Sequence, residues 1–142
     1  MQKLNELKEL KELTKDLKVL YVEDDLALGK TTLEYLSKLF SLVVYATNGL
    51  EGLEAYKSQE FDIVITDLSM PKMRGLDMLE KIKSINKDQL TLITTAHSES
   101  QYLVDAFKVK VDGYIIKPFD FVQLNRELLK IAKKFKALKS RD

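Results

Sequence analysis

The chain has 142 residues, 45% hydrophobic and 32% charged, which is typical of one globular domain with a sizeable core. It has no cysteine and a single histidine, His97, which excludes disulfides, thiolate metal sites and sites built from several histidines. No apolar run approaches the roughly 20 residues that cross a membrane, and no secretory signal opens the chain, so we expect a cytoplasmic protein. The net charge of +1 gives no general attraction to nucleic acid.

The first segment, residues 1–16, is rich in lysine and glutamate, and its leucines recur at every third position from Leu4 to Leu13. The composition predicts a helix. A spacing of three turns the leucine stripe back by about 60° at each step, so it forms no straight coiled-coil seam. We therefore predict a helical arm that packs on the domain. The alternative is a dimerising helix, and with it a homodimer, or a helix that contacts another domain.

Apolar strand patterns and amphipathic helix patterns then alternate five times, which predicts a parallel sheet with helices on both faces. We place the domain at residues 17–138 and a tail at 139–142. The predicted strands are Leu17–Val22, Leu42–Tyr45, Ile63–Asp67, Leu90–Thr94 and Gly113–Ile116. The predicted helices are Leu26–Phe40, Leu50–Lys57, Leu76–Ile85 and Ser98–Val109, with a last helix after Asp120.

Helix caps and buried faces follow from the same patterns. Asp25, Asn48 and Asp120 precede helices and are suited to accept a bond from the first turn. In the helix after the third strand, the predicted inward residues are Leu76, Leu79, Ile82 and Ile85. In the last helix they are Val122, Leu124, Leu128, Ile131 and Phe135.

Polar residues stand where the predicted strands end. Glu23 and Asp24 follow the first strand, Asp67 closes the third, Thr95 follows the fourth and Lys117 the fifth. The carboxyl ends of parallel strands open on one edge of a doubly wound sheet, so we expect these side chains to converge. Three carboxylates and one lysine leave an excess of negative charge, and Mg²⁺ is a cation that suits such oxygen ligands.

This combination predicts phosphoryl chemistry. Asp67 would be a nucleophile that forms an acyl phosphate, while Mg²⁺, Lys117 and Thr95 would bind the transferred oxygens. Taken singly, each residue has a simpler interpretation as a helix cap, a turn residue or a solvated strand end. The combination at successive strand ends favours a functional site.

The chain resembles a response-regulator receiver domain of the chemotaxis-regulator type, found in two-component phosphorelay signal transduction. The resemblance covers about Asp16 to Phe135. Four motifs carry it: Val19-Leu20-Tyr21-Val22-Glu23-Asp24, Asp62-Ile63-Val64-Ile65-Thr66-Asp67 with Met70-Pro71 and Gly75, Thr95-Ala96, and Tyr114-Ile115-Ile116-Lys117-Pro118-Phe119. It implies a flavodoxin-like, five-stranded parallel sheet of strand order 2-1-3-4-5.

The resemblance also implies residue roles. Asp67 is expected to accept a phosphoryl group from a sensor histidine kinase or a phosphotransfer protein, making the chain a phosphoprotein. Thr95 and Lys117 would bind the phosphoryl oxygens, and Tyr114 would be an aromatic switch that moves with Thr95.

The Lys117-Pro118 bond is expected to be cis. The output face would be the fourth helix of the domain, the fifth strand and the fifth helix. The implied Mg²⁺ ligands are Glu23, Asp24, Asp67 and the backbone carbonyl of Ser69.

Three positions call for comment beside the resemblance. Ser69 and His97 occupy places that tune dephosphorylation in this family, and for His97 an exposed loop histidine is the alternative. Lys110 lies where such domains usually have glycine. If its backbone is left-handed, the cost is up to roughly 1–2 kcal/mol. A different turn on the output side is the alternative.

Other functions predict different residues. A phosphatase usually carries a second acid two residues beyond its nucleophile, where this chain has Ser69. A flavodoxin-like cofactor binder would need a glycine-rich loop where Glu23, Asp24 and Asp25 stand. A phosphorylation-independent pseudo-receiver that only binds partners is the remaining alternative. We expect self-phosphorylation and autodephosphorylation but no other enzymatic activity, and no direct nucleic-acid binding despite the basic segment from Arg126.

Overall fold

The computed structural model describes residues 2–68, 70, 72–96 and 100–140, with side chains omitted for 100–103. Its strands are β1 (Lys18–Val22), β2 (Leu42–Ala46), β3 (Ile63–Asp67), β4 (Leu90–Ala96) and β5 (Gly113–Lys117). Its helices are α1 (Gln2–Thr14), α2 (Leu26–Ser37), α3 (Gly49–Ser58), α4 (Gly75–Ile85), α5 (Ser100–Phe107) and α6 (Phe121–Lys139). None of the helices in these ranges is long and apolar enough to cross a membrane.

The five strands form one parallel sheet in the order β2-β1-β3-β4-β5, which confirms the predicted topology. β3 lies at the centre, and every one of its residues is buried, as its uninterrupted apolar run predicts. One apolar cluster fills the face that α2 and α6 cover, around Val19, Tyr21 and Leu128. A second cluster, around Leu20, Val64 and Met78, fills the face that α3 and α4 cover. The sheet therefore has helices on both faces.

The N-terminal helix is packed against the domain. Leu10 and Thr14 of α1 are fully buried, and Leu10 belongs to the same apolar cluster as the β1 side chains. The Thr14 hydroxyl lies 2.8 Å from the Leu10 carbonyl oxygen and 2.9 Å from that of Leu39, which ties α1 to the turn after α2. The leucine stripe thus contributes to the domain core. The division at residue 16 and the tail at 139 stay predictions.

The helix caps are confirmed, and one predicted core residue is wrong. Asp25, Asn48 and Asp120 each accept a backbone N–H three residues later, at 2.8–3.1 Å. Ile85, in contrast, is 55% exposed. It is the last residue of α4, beyond the point where that helix still faces the sheet.

One backbone expectation is confirmed, and one question that the sequence leaves open is answered. The Lys117-Pro118 peptide bond is cis, and Lys110 has a φ of 60°, in the left-handed region that glycine adopts most easily. For lysine that conformation costs about 1–2 kcal/mol. Lys72 shares it, with a φ of 67°.

Candidate functional site

The predicted acidic residues converge at the carboxyl edge of the sheet. Glu23 follows β1 and Asp67 is the last residue of β3, the strand beside it. One carboxylate oxygen from each of Glu23, Asp24 and Asp67 lies within 4.8 Å of the other two. Glu23 is fully buried, Asp67 is 5% exposed and Asp24 is exposed. The cluster therefore has a buried floor and one open side.

Lys117 bridges the two buried acids. Its Nζ lies 2.7 Å from Glu23 Oε1 and 2.9 Å from Asp67 Oδ2. Burial opposes the charged form of Lys117, but the hydrogen bonds to Glu23 and Asp67 outweigh it and raise the lysine pKa. One ammonium thus holds two carboxylates, and with Asp24 the group keeps an excess of negative charge. These four side chains can bind a cation. They can also bind an anion that brings its own cation.

The buried Glu23 carboxyl has a raised pKa. The Glu23 pKa is raised from 4.5 to about 7, mainly by burial and also by the nearby Asp67 carboxylate, against the opposing hydrogen bonds from Lys117 and the Asp25 amide. The Asp25 N–H donates to Glu23 Oε2 at 3.1 Å. A cation bound beside Glu23 would favour the charged form of this carboxyl and oppose the rise in its pKa.

Thr95 and Tyr114 lie on the neighbouring strands. Asp67 is in register with Thr94 of β4, so Thr95 is one residue further towards the edge, and it is buried. Thr95 is in turn opposite Ile116, the residue before Lys117. Tyr114 does not join the acidic cluster. Its ring is 43% exposed and packs edge-on against Phe107 of α5, with centroids 5.8 Å apart.

Two of the predicted site residues, Ser69 and His97, lie outside the described residues. The expected carbonyl ligand of Ser69 and the tuning roles of both residues therefore stay predictions. The cluster of Glu23, Asp24, Asp67 and Lys117 is assembled without them.

Gly75 supports Asp67 from behind, a role that the sequence pattern leaves unexplained. A Cβ at position 75 would lie 1.8 Å from the Asp67 carbonyl oxygen and 2.9 Å from Leu68 Cα. The Gly75 N–H also donates to the Leu68 carbonyl at 2.8 Å. The start of α4 is thus pressed directly against the backbone that carries the acid, and only glycine leaves room for this approach.

Tyr45 is a second supporting residue, and sequence reasoning missed it. Its hydroxyl donates to the Glu23 carbonyl at 2.8 Å, and its ring stacks on Tyr21 with centroids 5.6 Å apart. Gly29 makes space for this hydroxyl, since a Cβ there would lie 2.0 Å from it. No local motif signals this contact, because it joins β2 to the end of β1 and the start of α2.

Comparison with known proteins agrees with the geometry. Residues 19–129 match the family model described as the response regulator receiver domain. Chemotaxis protein CheY-3 of Vibrio cholerae is 34% identical over 122 residues, which cover 84% of this chain and 94% of that protein. The probable transcriptional regulatory protein SilR of Salmonella typhimurium is 32% identical over 108 residues, 76% of this chain and 47% of that protein. The chain thus spans nearly all of CheY-3 but about half the length of SilR.

Solved structures give the same result. A response regulator receiver domain protein from Clostridium thermocellum superposes with a TM-score of 0.77 at 27% identity, covering 86% of this chain and 98% of that one. The N-terminal domain of an uncharacterized protein from Wolinella succinogenes superposes with a TM-score of 0.76 at 30% identity, covering 88% and 98%. With the family match over most of its length, the chain belongs to the response regulator receiver domain family and is the receiver domain of a two-component response regulator.

Proposed function

We propose that this receiver domain is a phosphoacceptor, in which Asp67 takes one phosphoryl group from the phosphohistidine of a sensor histidine kinase or a phosphotransfer protein. The observation that carries the proposal is the convergence of Glu23, Asp24 and Asp67 within 4.8 Å, with Lys117 bonded to two of them. Carboxylates this close repel one another, and a positively charged ligand would relieve that repulsion.

In the proposed reaction, a carboxylate oxygen of Asp67 attacks the phosphorus atom. The P–N bond to the donor histidine breaks as a P–O bond to Asp67 forms, and the donor imidazole leaves with the electron pair of the broken bond and takes up a proton. Lys117 is held beside Asp67 before any phosphoryl group arrives, so its ammonium is in place for the new phosphoryl oxygens. Thr95, one strand away, supplies a hydroxyl for the same oxygens.

Mg²⁺ is the proposed cofactor, and the donor set fits it, since hard oxygen ligands on one open side suit this ion. Glu23, Asp24 and Asp67 would hold it, with the Ser69 carbonyl as the further ligand that the family resemblance implies. When bound, the ion supplies positive charge that neutralises the transferred phosphoryl oxygens. Glu23 reaches the site through its buried carboxylate, and Asp24 from its solvent-exposed side.

The proposed output is a change at the face formed by α5, β5 and α6. Tyr114 faces outward on this surface against Phe107, and inward movement of its ring would follow the movement of Thr95 towards a phosphoryl group. A dianionic group that gains charge-assisted bonds can bias such a two-state element. The downstream target that reads this face is a partner protein.

We further propose that the domain works in the cytoplasm and turns over no external substrate beyond its own phosphorylation and dephosphorylation. Its membership in the receiver family supports both statements. The alternative, a pseudo-receiver whose pocket is vestigial, predicts no phosphoryl uptake. All five residues needed for uptake are present: Glu23, Asp24, Asp67, Thr95 and Lys117.

The deciding experiment measures the intact mass of the protein after incubation with acetyl phosphate or phosphoramidate. We expect one added phosphoryl group when Mg²⁺ is present and none when the ion is chelated. Asp67→Asn should remain unmodified and keep a folded circular dichroism spectrum. Uptake by Asp67→Asn, or absence of uptake by the wild type with every donor, would contradict the proposal.

A further inference from the structure

The amino edge of the sheet, opposite Asp67, carries a basic groove of about 410 Å³. Four lysines and two aspartates line it, a local net charge of +2, whereas the whole chain has a net charge of +1. The charged lining residues are Lys83, Lys87, Asp88, Lys110, Asp112 and Lys134. Positive charge is thus concentrated on a surface that the phosphoacceptor site does not use.

The groove keeps a positive charge because Asp112 is paired with Lys134, and only Asp88 offsets the other three lysines. Asp112 accepts the Thr91 N–H at 2.8 Å through Oδ2, and its Oδ1 pairs with Lys134. Among the residues that the structure describes, neither Lys87 nor Lys110 forms an ion pair with a carboxylate. These two ammonium groups are therefore available to an anionic partner.

Two further features indicate that the groove is a binding site. Lys83 is partly buried, and its Nζ donates to the Gln89 carbonyl at 2.6 Å, which fixes a cation in the wall of the groove. Burial lowers the pKa of Lys83, as do the neighbouring cations Lys134 and Lys110, while Asp112 and Asp88 oppose that shift.

Lys110 occupies a left-handed backbone position with a φ of 60°. Strained positions of this kind concentrate at functional surfaces, and here the strained residue carries a charge.

The groove also has an apolar wall. Leu138 of α6 is 38% exposed and lines both the basic groove and an adjoining pocket of about 260 Å³. That pocket contains Phe61 and Phe135. A small inorganic anion would leave this apolar surface unused, and no exposed aromatic stack for nucleic-acid bases lines either pocket. Lysines beside an apolar notch match a peptide that carries both acidic and aliphatic side chains.

We propose that this basic groove docks an acidic segment of a partner protein, with an aliphatic side chain of that segment against Leu138. The lysines contribute attraction and orientation through partly screened charge interactions. The groove lies at the sheet edge remote from Asp67, so this docking does not depend on the phosphoacceptor reaction.

The test uses a fluorescein-labelled peptide in which two leucines interrupt a run of aspartates and glutamates, with fluorescence anisotropy as the readout. The groove variant is Lys87→Gln with Lys110→Gly, and the control is Lys30→Gln with Lys38→Gln, which removes two exposed lysines from the region of α2. We expect saturable binding by the wild type that weakens as salt rises. The groove variant should bind about tenfold more weakly, since two partly screened attractions are lost, and the control should change less than about twofold.

A second peptide with serines in place of the leucines should bind more weakly to the wild type. A single-stranded DNA oligonucleotide of equal charge serves as the competing class of ligand. Equal weakening in both double variants, no saturable peptide binding by the wild type, or tighter binding of the DNA than of the peptide would each overturn the proposal. Phosphoryl uptake by the groove variant should match that of the wild type.

Discussion

The carboxyl and amino edges of the sheet use the same residue types in opposite ways. At the carboxyl edge, Glu23, Asp24 and Asp67 turn their oxygens towards one another, and a single lysine partly neutralises them. At the amino edge, Asp62 accepts the Lys18 N–H and Asp112 the Thr91 N–H, each at 2.8 Å. Asp62 and Asp112 thus satisfy the backbone of a neighbouring strand, whereas Glu23, Asp24 and Asp67 are held together against their mutual repulsion.

This contrast teaches how stability and function are divided in the domain. A carboxylate that accepts a backbone N–H adds stability, because its removal leaves a donor without an acceptor. A carboxylate crowded by others reduces stability, and its presence is explained by what it binds. Removal of Asp112 and removal of Asp24 should therefore have opposite effects on the free energy of unfolding.

The largest expected effect comes from the backbone contact behind Asp67. Gly75→Ala would put a Cβ 1.8 Å from the Asp67 carbonyl oxygen, and no flexible side chain is available to move away. We expect a loss of about 3 kcal/mol in the free energy of unfolding, measured by urea denaturation, and reduced phosphoryl uptake.

Gly113→Ala is the matched control at the amino edge. Its Cβ would meet the end of the Glu127 side chain at 3.1 Å and Leu92 Cδ1 at 3.3 Å, and both atoms can shift. This variant should lose less than about 1 kcal/mol and keep phosphoryl uptake. Equal losses in the two glycine variants would contradict the role assigned to Gly75.

The second prediction tests whether an acid at the amino edge of the sheet stabilises the fold. Asp112→Ala removes the acceptor of the Thr91 N–H, and Thr91 is fully buried, so we expect a loss of about 2 kcal/mol. Asp112→Asn keeps an oxygen acceptor and should lose less. Both variants should take up a phosphoryl group as the wild type does. If the alanine variant were as stable as the wild type, the stabilising role of this edge would be wrong.

The third effect has the opposite sign. Asp24→Asn removes one of three crowded carboxylates, and we expect a gain of about 1 kcal/mol in the free energy of unfolding when divalent ions are chelated. Asp25→Asn is the control, because asparagine caps α2 as well as aspartate does. Added Mg²⁺ should raise the thermal midpoint of the wild type and have much less effect on Asp24→Asn. Destabilisation by Asp24→Asn in chelator would contradict the predicted repulsion.

Much of the carboxyl edge could be predicted from the sequence, because strand ends are marked by the change from apolar runs to polar residues. Glu23, Asp24, Asp67 and Lys117 stand at such changes, and parallel pairing alone brings them to one edge. The helix caps can be predicted in the same way, since each cap residue lies next to the helix that it caps. These features depend on local pattern combined with one topological rule.

The remaining features depend on contacts between distant segments, which a single sequence does not specify. The Tyr45 hydroxyl reaches the Glu23 carbonyl from the neighbouring strand, and the Asp62 and Asp112 side chains accept backbone N–H groups of residues far away in the chain. Ile85 was wrongly assigned to the core because helical periodicity continues past the point where α4 leaves the sheet. The structural roles of Asp62 and Asp112 become clear only from the backbone N–H groups that their oxygens accept.

The smallest expected effect concerns Lys110, a lysine at the amino edge that has both a strained backbone and a charge in the basic groove. Its φ of 60° is costly for lysine and easy for glycine. Lys110→Gly relieves that strain but gives the unfolded chain more freedom, so the net gain should be about 0.5–1 kcal/mol, a rise of a few degrees in thermal midpoint. Lys108→Gly, two residues earlier, has no positive φ to relieve and should give no gain. A stabilised Lys110→Gly that also binds acidic peptide more weakly would show that this lysine is kept for its charge at the cost of stability.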